Sequence, residues 1–315
     1  MSPQSDPTFR KYDCQQAQKY AESRLSYPVQ LYSTIIDFHT QSSGRKHIIA
    51  DVGCGPGNAT RDLAIHFDHA IGLDPSVEMI KIAGQLGGRT KSEVPLKFVV
   101  STAEDLFDNS SSALPAIKEN GGVDLLTAAM AAHWFDMTKF WKEAARIVRP
   151  QGTVALWTCA SLYCHPSTVN AKEVQEILFH LERNVLAPYS LSSNQISNNL
   201  YETLVHPWEL SDEDLAHAFS KSSFRRVEWN RNGILGDGED FLNASKTTLN
   251  ELEKRLGTAS MVTRWRGAHP DLVGTDQDCV VKAIRDIRTV MGKSGHENPS
   301  IVTGSAVALL LFKRS

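Results

Sequence analysis

The chain has little that would tie it to an oxidising compartment, a membrane or a polyanion. Its 315 residues include only five cysteines, Cys14, Cys54, Cys159, Cys164 and Cys279. They are odd in number, scattered and free of any CxxC pair, which excludes a disulfide framework or a Cys-based metal site and points to free thiols. Apolar runs are short. The longest near the C-terminus, residues 307–312, is far below the length of a membrane span, and residues 1–13 have no apolar signal core. The formal net charge is −3, so no basic excess suits nucleic acid or an anionic lipid surface. These absences lead us to expect a cytoplasmic protein acting on a small molecule, as a monomer or homodimer, with no metal.

From residue 47 a rhythm sets in. "HIIADV" is a continuous apolar run, as in a strand buried on both faces. It is followed by glycines at 53, 55 and 57 and a helical stretch, "ATRDLAIHF". "HAIGLD" reads as a second strand and "SVEMIKIAGQL" as a second helix with Ser76 as its cap. "LKFVVST", "VDLLTAA" and "GTVALWTC" are further strands, with "MTKFWKEAARIV" as a helix before the last, stopped by Pro150 and Gly152. Strands alternating with helices predict a parallel sheet covered on both faces, an α/β Rossmann-like fold. Beyond 160 the rhythm stops. Helices are expected at 238–256 and 276–292, with strands at about 224–234 and 305–314 closing the sheet. Residues 1–44 then form a helical cap, 45–160 the core, and 161–315 a helical lid that also supplies those closing strands.

In open α/β sheets ligands bind beyond the carboxyl ends of the strands. Gly53, Gly55 and Gly57 fall at such an end, where glycine lets a ligand approach the backbone. The following helix start offers unpaired N–H groups, and Asp74 ends the next strand, where its carboxylate can accept bonds from a ribose diol. A dinucleotide site would prefer GxGxxG; the spacing here is GxGxG.

On these residues the chain resembles the class I S-adenosylmethionine-dependent methyltransferases. "DVGCGPG" is similar to their first motif and "GLDPSVEMIKIA" to their second. "STAEDL" resembles the adenine-side motif, and "AAMAAHWFD" the fourth-strand motif of the subgroup that carries "HWF". "YAESRLSYP" is similar to that subgroup's N-terminal segment, and the lid most resembles fungal trans-aconitate 3-methyltransferases. The resemblance implies S-adenosylmethionine held by Asp51, Gly53, Cys54, Gly55, Gly57, Asp74, Pro75, Met79, Ala103, Glu104 and Met130. It implies His133 as the candidate catalytic group, either a base or an orienting hydrogen bond. Tyr20, Arg24, Tyr27, Trp134, Tyr189, Trp265, Arg266 and His269 are the implied acceptor contacts, with Arg264 supplying nearby charge. The lid departs from the trans-aconitate pattern at Ser190, Leu191, Asn194 and Gln195, where aromatic, acidic and Gly-Arg residues are expected. A buried tri-anion needs several cationic partners, so this departure favours a larger, less charged acceptor. The implied reaction is O-methylation of a carboxyl or hydroxyl group. N- or C-methylation of a secondary metabolite is the alternative within the class. A cofactor-binding scaffold or rearrangement catalyst that transfers no methyl is the alternative outside it.

Overall fold

The computed structural model describes residues 12–41, 44–106, 117, 121–236, 238–293 and 297–315. Residues 107–116 and 118–120, between the third and fourth strands, lie outside the described residues. Two helices open the chain. The first, α1 (Cys14–Ser23), is started by a capping box in which Asp13 accepts from the Gln16 N–H and Gln16 accepts from the Asp13 N–H. Then come α2 (Val29–Gln41), β1 (Ile48–Val52), α3 (Asn58–Ala64), β2 (His69–Asp74), α4 (Val77–Leu86), β3 (Lys97–Val100), β4 (Val123–Ala129), α5 (Met137–Ile147) and β5 (Val148–Cys164). Ser76 caps α4 by accepting from the Met79 N–H, as the sequence predicts.

The strands form one eight-stranded sheet, ordered β3-β2-β1-β4-β5-β8-β6, where β6 is Arg225–Trp229 and β8 is Ser300–Lys313. Strands β1 to β5 are parallel, and β8 runs antiparallel to both β5 and β6. After β1 the chain builds outward through β2 and β3, then returns to lay β4 on the other side of β1. This reversal opens a crevice beyond the carboxyl ends of β1 and β4.

Alternate residues along the sheet feed two cores. Ala50, Leu126, Val154, Leu156 and Phe312 pack with Phe140, Trp141, Tyr201 and Phe219 on one face. Ile49, Leu125, Ala155, Trp157 and Leu309 pack with Leu31, Ile35 and Phe67 on the other. A third cluster belongs to the lid, whose helices include α6 (Ala171–His180), α7 (Ser192–Asn198), α8 (Glu213–Ala218), α9 (Leu249–Leu256), α10 (Ser260–Ala268) and α11 (Cys279–Val290). Val174, Leu178, Leu252, Val262, Trp265, Ile284 and Ile287 close around Ile301 of β8.

Three expectations are corrected. The helix expected over 238–256 is shorter, because β7 (Ser245–Thr248) pairs with residues 300–303 of β8 before α9 begins. "SKTT" is too short and polar to read as a strand; its partner makes it one. Helix α5 ends at Ile147, ahead of Pro150, and β5 starts at once, so proline and glycine sit in an irregular strand entry and not in a helix stop. The strands β5 and β8 are also much longer than expected, since their antiparallel pairing continues from 153 to 164. Among the described residues, no helix is long and apolar enough to cross a membrane.

Candidate active site

The glycine turn is built by close approach. Gly53, Gly55 and Gly57 have φ of 66°, 54° and 85°, a region that costs other residues about 1–2 kcal/mol. A Cβ on Gly53 would stand 2.6 Å from the Ala131 Cβ, and one on Gly57 would stand 2.7 Å from the Phe98 ring. A Cβ on Gly55 would meet nothing within 4 Å. Gly55 is thus the point of the turn that faces open space. Its N–H donates to Asp74 Oδ2 at 2.9 Å, and the Ser76 N–H donates to Asp74 Oδ1 at 2.8 Å. Cys54 is buried beneath the turn, its N–H on Leu73 O, and burial pushes its thiol well up.

Asp51 sits deeper. It is fully buried, with Oδ1 accepting from Thr127 at 2.7 Å and Oδ2 from Thr60 at 2.6 Å. Burial raises its carboxyl to about 6, against the two hydroxyl bonds. Here the acid ties β1 to β4 and α3. Met79 is likewise buried, packed with Tyr12 and Ala17 between α4 and the N-terminal helix. Pro75 lies between the two bonded groups Asp74 and Ser76. Ala103 is buried, and the Glu104 carboxylate accepts from the Asp136 N–H at 2.9 Å, joining the loop after β3 to the loop after β4.

That second loop begins with Met130, whose φ is 53° and whose sulfur accepts from the Cys159 N–H. His133 follows in a short 3-10 turn over 132–134, and Trp134 lies against it with ring centres 4.8 Å apart. His133 is 7% exposed, and burial lowers its pKa to about 3, so the ring is neutral at neutral pH. Its Nδ1 lies 3.0 Å from the hydroxyl of Tyr201 in the lid.

The N-terminal segment bridges core and lid. The Asn58 amide donates to Arg24 O, Ser23 donates to Thr258, and Tyr12 lies 3.4 Å from Thr263. The Arg24 guanidinium stands over the Tyr20 ring at 4.4 Å, and Tyr27 meets Trp157 edge-on. In the lid, Trp265 stacks on His269 with 4.4 Å between ring centres, and His269 faces Tyr189. The arginines there are committed to the lid's own architecture. Arg264 donates to Tyr189 O and Asn194 Oδ1. Arg266 makes a two-pronged pair with the buried Asp278, at 2.8 and 3.1 Å. Glycine turn, Asp74 and the His133 loop therefore converge on the β1–β4 crevice, whereas Arg266 is occupied elsewhere. Reading the sequence alone missed Tyr201. It also missed Asn243, whose amide reaches the Cys159 sulfur, and Arg255 of α9, which bonds to Ser245. No local motif marks any of them.

The sheet order, the glycine turn at its switch point and the acid ending β2 define a class I methyltransferase type of Rossmann-like fold. Residues 50–156 match the family described as "Methyltransferase domain". The solved structure of a type II methyltransferase candidate from Anaeromyxobacter dehalogenans superposes with a TM-score of 0.59 at 22% identity, covering 92% of this chain and 97% of that one. "Probable S-adenosylmethionine-dependent methyltransferase CRG1" of Saccharomyces cerevisiae is 26% identical over 257 residues, 80% of this chain and 81% of the relative. Methyltransferase cfoB of Aspergillus candidus is 25% identical over 227 residues, and methyltransferase ptaI of Pestalotiopsis fici 30% over 141. The chain spans 64% and 40% of those two relatives. The protein is an S-adenosylmethionine-dependent methyltransferase.

Proposed function

We propose that the crevice beyond β1 and β4 seats the adenosyl sulfonium and that the protein methylates an oxygen of a small organic molecule. Carboxylates and hydroxyls are the acceptor groups, on a trans-aconitate-like acid or a fungal metabolite. One observation carries this reading: Gly55, the glycine with open space above it, is latched by its N–H to Asp74. The two motifs are thereby fixed side by side at the switch point. Gly53, Gly55 and Gly57 would border the methionine part, and Asp74 would accept from the ribose hydroxyls. Cys54, Pro75, Ala103, Glu104 and Met130 would wall the site. Asp51 and Met79 would act from beneath, by holding the strands and α4 in place.

S-adenosylmethionine supplies an already activated methyl group, so the protein's task is alignment and exclusion of water. Tyr20, Arg24 and Tyr27 from the N-terminal segment, Trp134 from the core, and Tyr189, Trp265 and His269 from the lid would enclose the acceptor. His133 stays neutral and would orient it. The engagement of Arg264 and Arg266 with lid residues supports an acceptor with less charge than a tricarboxylate, since a buried tri-anion without paired cations is costly.

Incubation of the protein with labelled S-adenosylmethionine and a cell extract tests this. The expected product gains one methylene unit of mass as S-adenosylhomocysteine forms, and alkaline hydrolysis releases the label if the product is a methyl ester. A label that resists both alkali and ether cleavage indicates nitrogen or carbon as the acceptor and overturns O-methylation. Unchanged product mass overturns methyl transfer.

A further inference from the structure

The lid reaches into the crevice through one buried side chain, and that contact assigns the state of His133. Tyr201 is fully buried. It stands on a loop where two successive non-glycine residues, Leu200 and Tyr201, have φ of 55° and 63°. This backbone costs side-chain-bearing residues free energy and persists only where its surroundings enforce it. Here Leu200 N–H bonds to Ser197 O, Tyr201 N–H to Ile196 O, and Arg226 donates to Leu200 O at 2.6 Å. The constrained loop delivers the phenol to His133.

The donors and acceptors around that phenol settle who gives the proton. By distance and angle, the one hydrogen-bond partner of this buried hydroxyl among the described residues is His133 Nδ1, at 3.0 Å. If the ring donated from Nδ1, the buried phenol proton would have no acceptor, which buried hydroxyls avoid, so the phenol donates. His133 Nε2 has no partner among the described residues.

We propose that Tyr201 is the positioning residue of this site: it donates to His133 Nδ1 and so holds the imidazole as the Nε2–H tautomer. His133 then offers the acceptor a hydrogen-bond donor and has no lone pair with which to take a proton. The role in the reaction rests on the functional reading above, while the tautomer does not. An acceptor held this way presents an oxygen lone pair to the ring, and any proton it carries leaves by another route.

The test is nitrogen-15 spectroscopy of the full-length protein labelled at histidine, at neutral pH, with His133 assigned from the signals lost in His133→Gln. The expected spectrum has protonated Nε2 and unprotonated Nδ1. Tyr201→Phe, which keeps the buried ring, should release the ring into a mixture of tautomers. A wild-type Nδ1–H tautomer, a doubly protonated ring, or an unchanged tautomer in Tyr201→Phe would each overturn the proposal. Should Tyr201→Phe fail to fold, the wild-type spectrum alone decides. Calorimetry with S-adenosylmethionine on the same samples keeps the two questions apart. A wild type that binds no cofactor sinks the functional reading and leaves the tautomer measurement standing.

Discussion

The two sides of the crevice hold their polar groups in opposite ways. On the core side, the buried Asp74 is fixed by the backbone N–H groups of Gly55 and Ser76. On the lid side, side chains hold each other: Arg266 is paired with Asp278, Arg264 with Asn194 and the Tyr189 carbonyl. A site held by backbone keeps its shape through sequence change around it. A lid held by its own side chains can be rewritten for another acceptor only by changing several residues together. In the function proposed above, the chain thus joins a fixed half that would receive the cofactor to an adjustable half that would choose what is methylated.

The largest predicted effect falls on the seam between the halves. His133 has its pKa lowered to about 3 by burial, against about 6.5 in an unfolded chain. A base depressed by folding stabilises the fold above the unfolded value, and that stability is lost as pH falls. Between about pH 6.5 and 3 the loss should approach about 5 kcal/mol, the linkage equivalent of such a shift. His133→Gln should flatten that slope in urea denaturation followed across pH. An identical slope in the variant would dissociate His133 from the acid sensitivity of the seam.

On the lid side, Asp278→Ala should cost about 3 kcal/mol. It leaves Arg266 half-buried without its carboxylate and removes the cap of α11, where Asp278 accepts from Val280 and Val281. Hydrogen exchange should show the loss in α10 and α11 while β1 and β4 keep their protection. Equal loss in both halves would abolish the distinction. On the core side, Asp74→Ala should weaken S-adenosylmethionine binding by about 1.5–3 kcal/mol, the range for bonds to a charged group, and unchanged affinity in calorimetry would refute its role. Smallest is Gly55→Ala, expected to cost about 1 kcal/mol of stability from its left-handed backbone alone. Gly53→Ala should cost more, because the added carbon also meets Ala131. Thermal unfolding of the pair would reverse the reading of Gly55 as the open point if the order were inverted.

This contrast also governs what could be read from the chain. "HIIADVGCGPG" and "HAIGLD" carry strand, turn and acid within a few residues of one another, because local backbone geometry makes that part of the site. Asp51 and Met79 lie on the same motifs, yet their burial depends on Thr60, Thr127 and the N-terminal helix, which spacing does not reveal. Arg266 looked available because Asp278 lies twelve residues away across a turn. Tyr201 is separated from His133 by 68 residues, and "NNLYE" has no pattern of its own. β7 was unreadable for a similar reason: four polar residues become a strand only when β8 is beside them.

The placement of β8 bears on how the molecule is made. This one strand bonds to β5, β6 and β7, and its partners in β5 lie some 140–160 residues earlier in the chain. A ribosome delivers the whole lid before it delivers residues 300–313. Until then β5 presents an unpaired, strongly apolar margin, a hazard for sticking to other chains. Such distant pairing is also slow to form. The nascent protein should therefore depend on chaperones until its last strand is threaded home, and yield on overexpression should rise more with slower synthesis than with any change in the crevice.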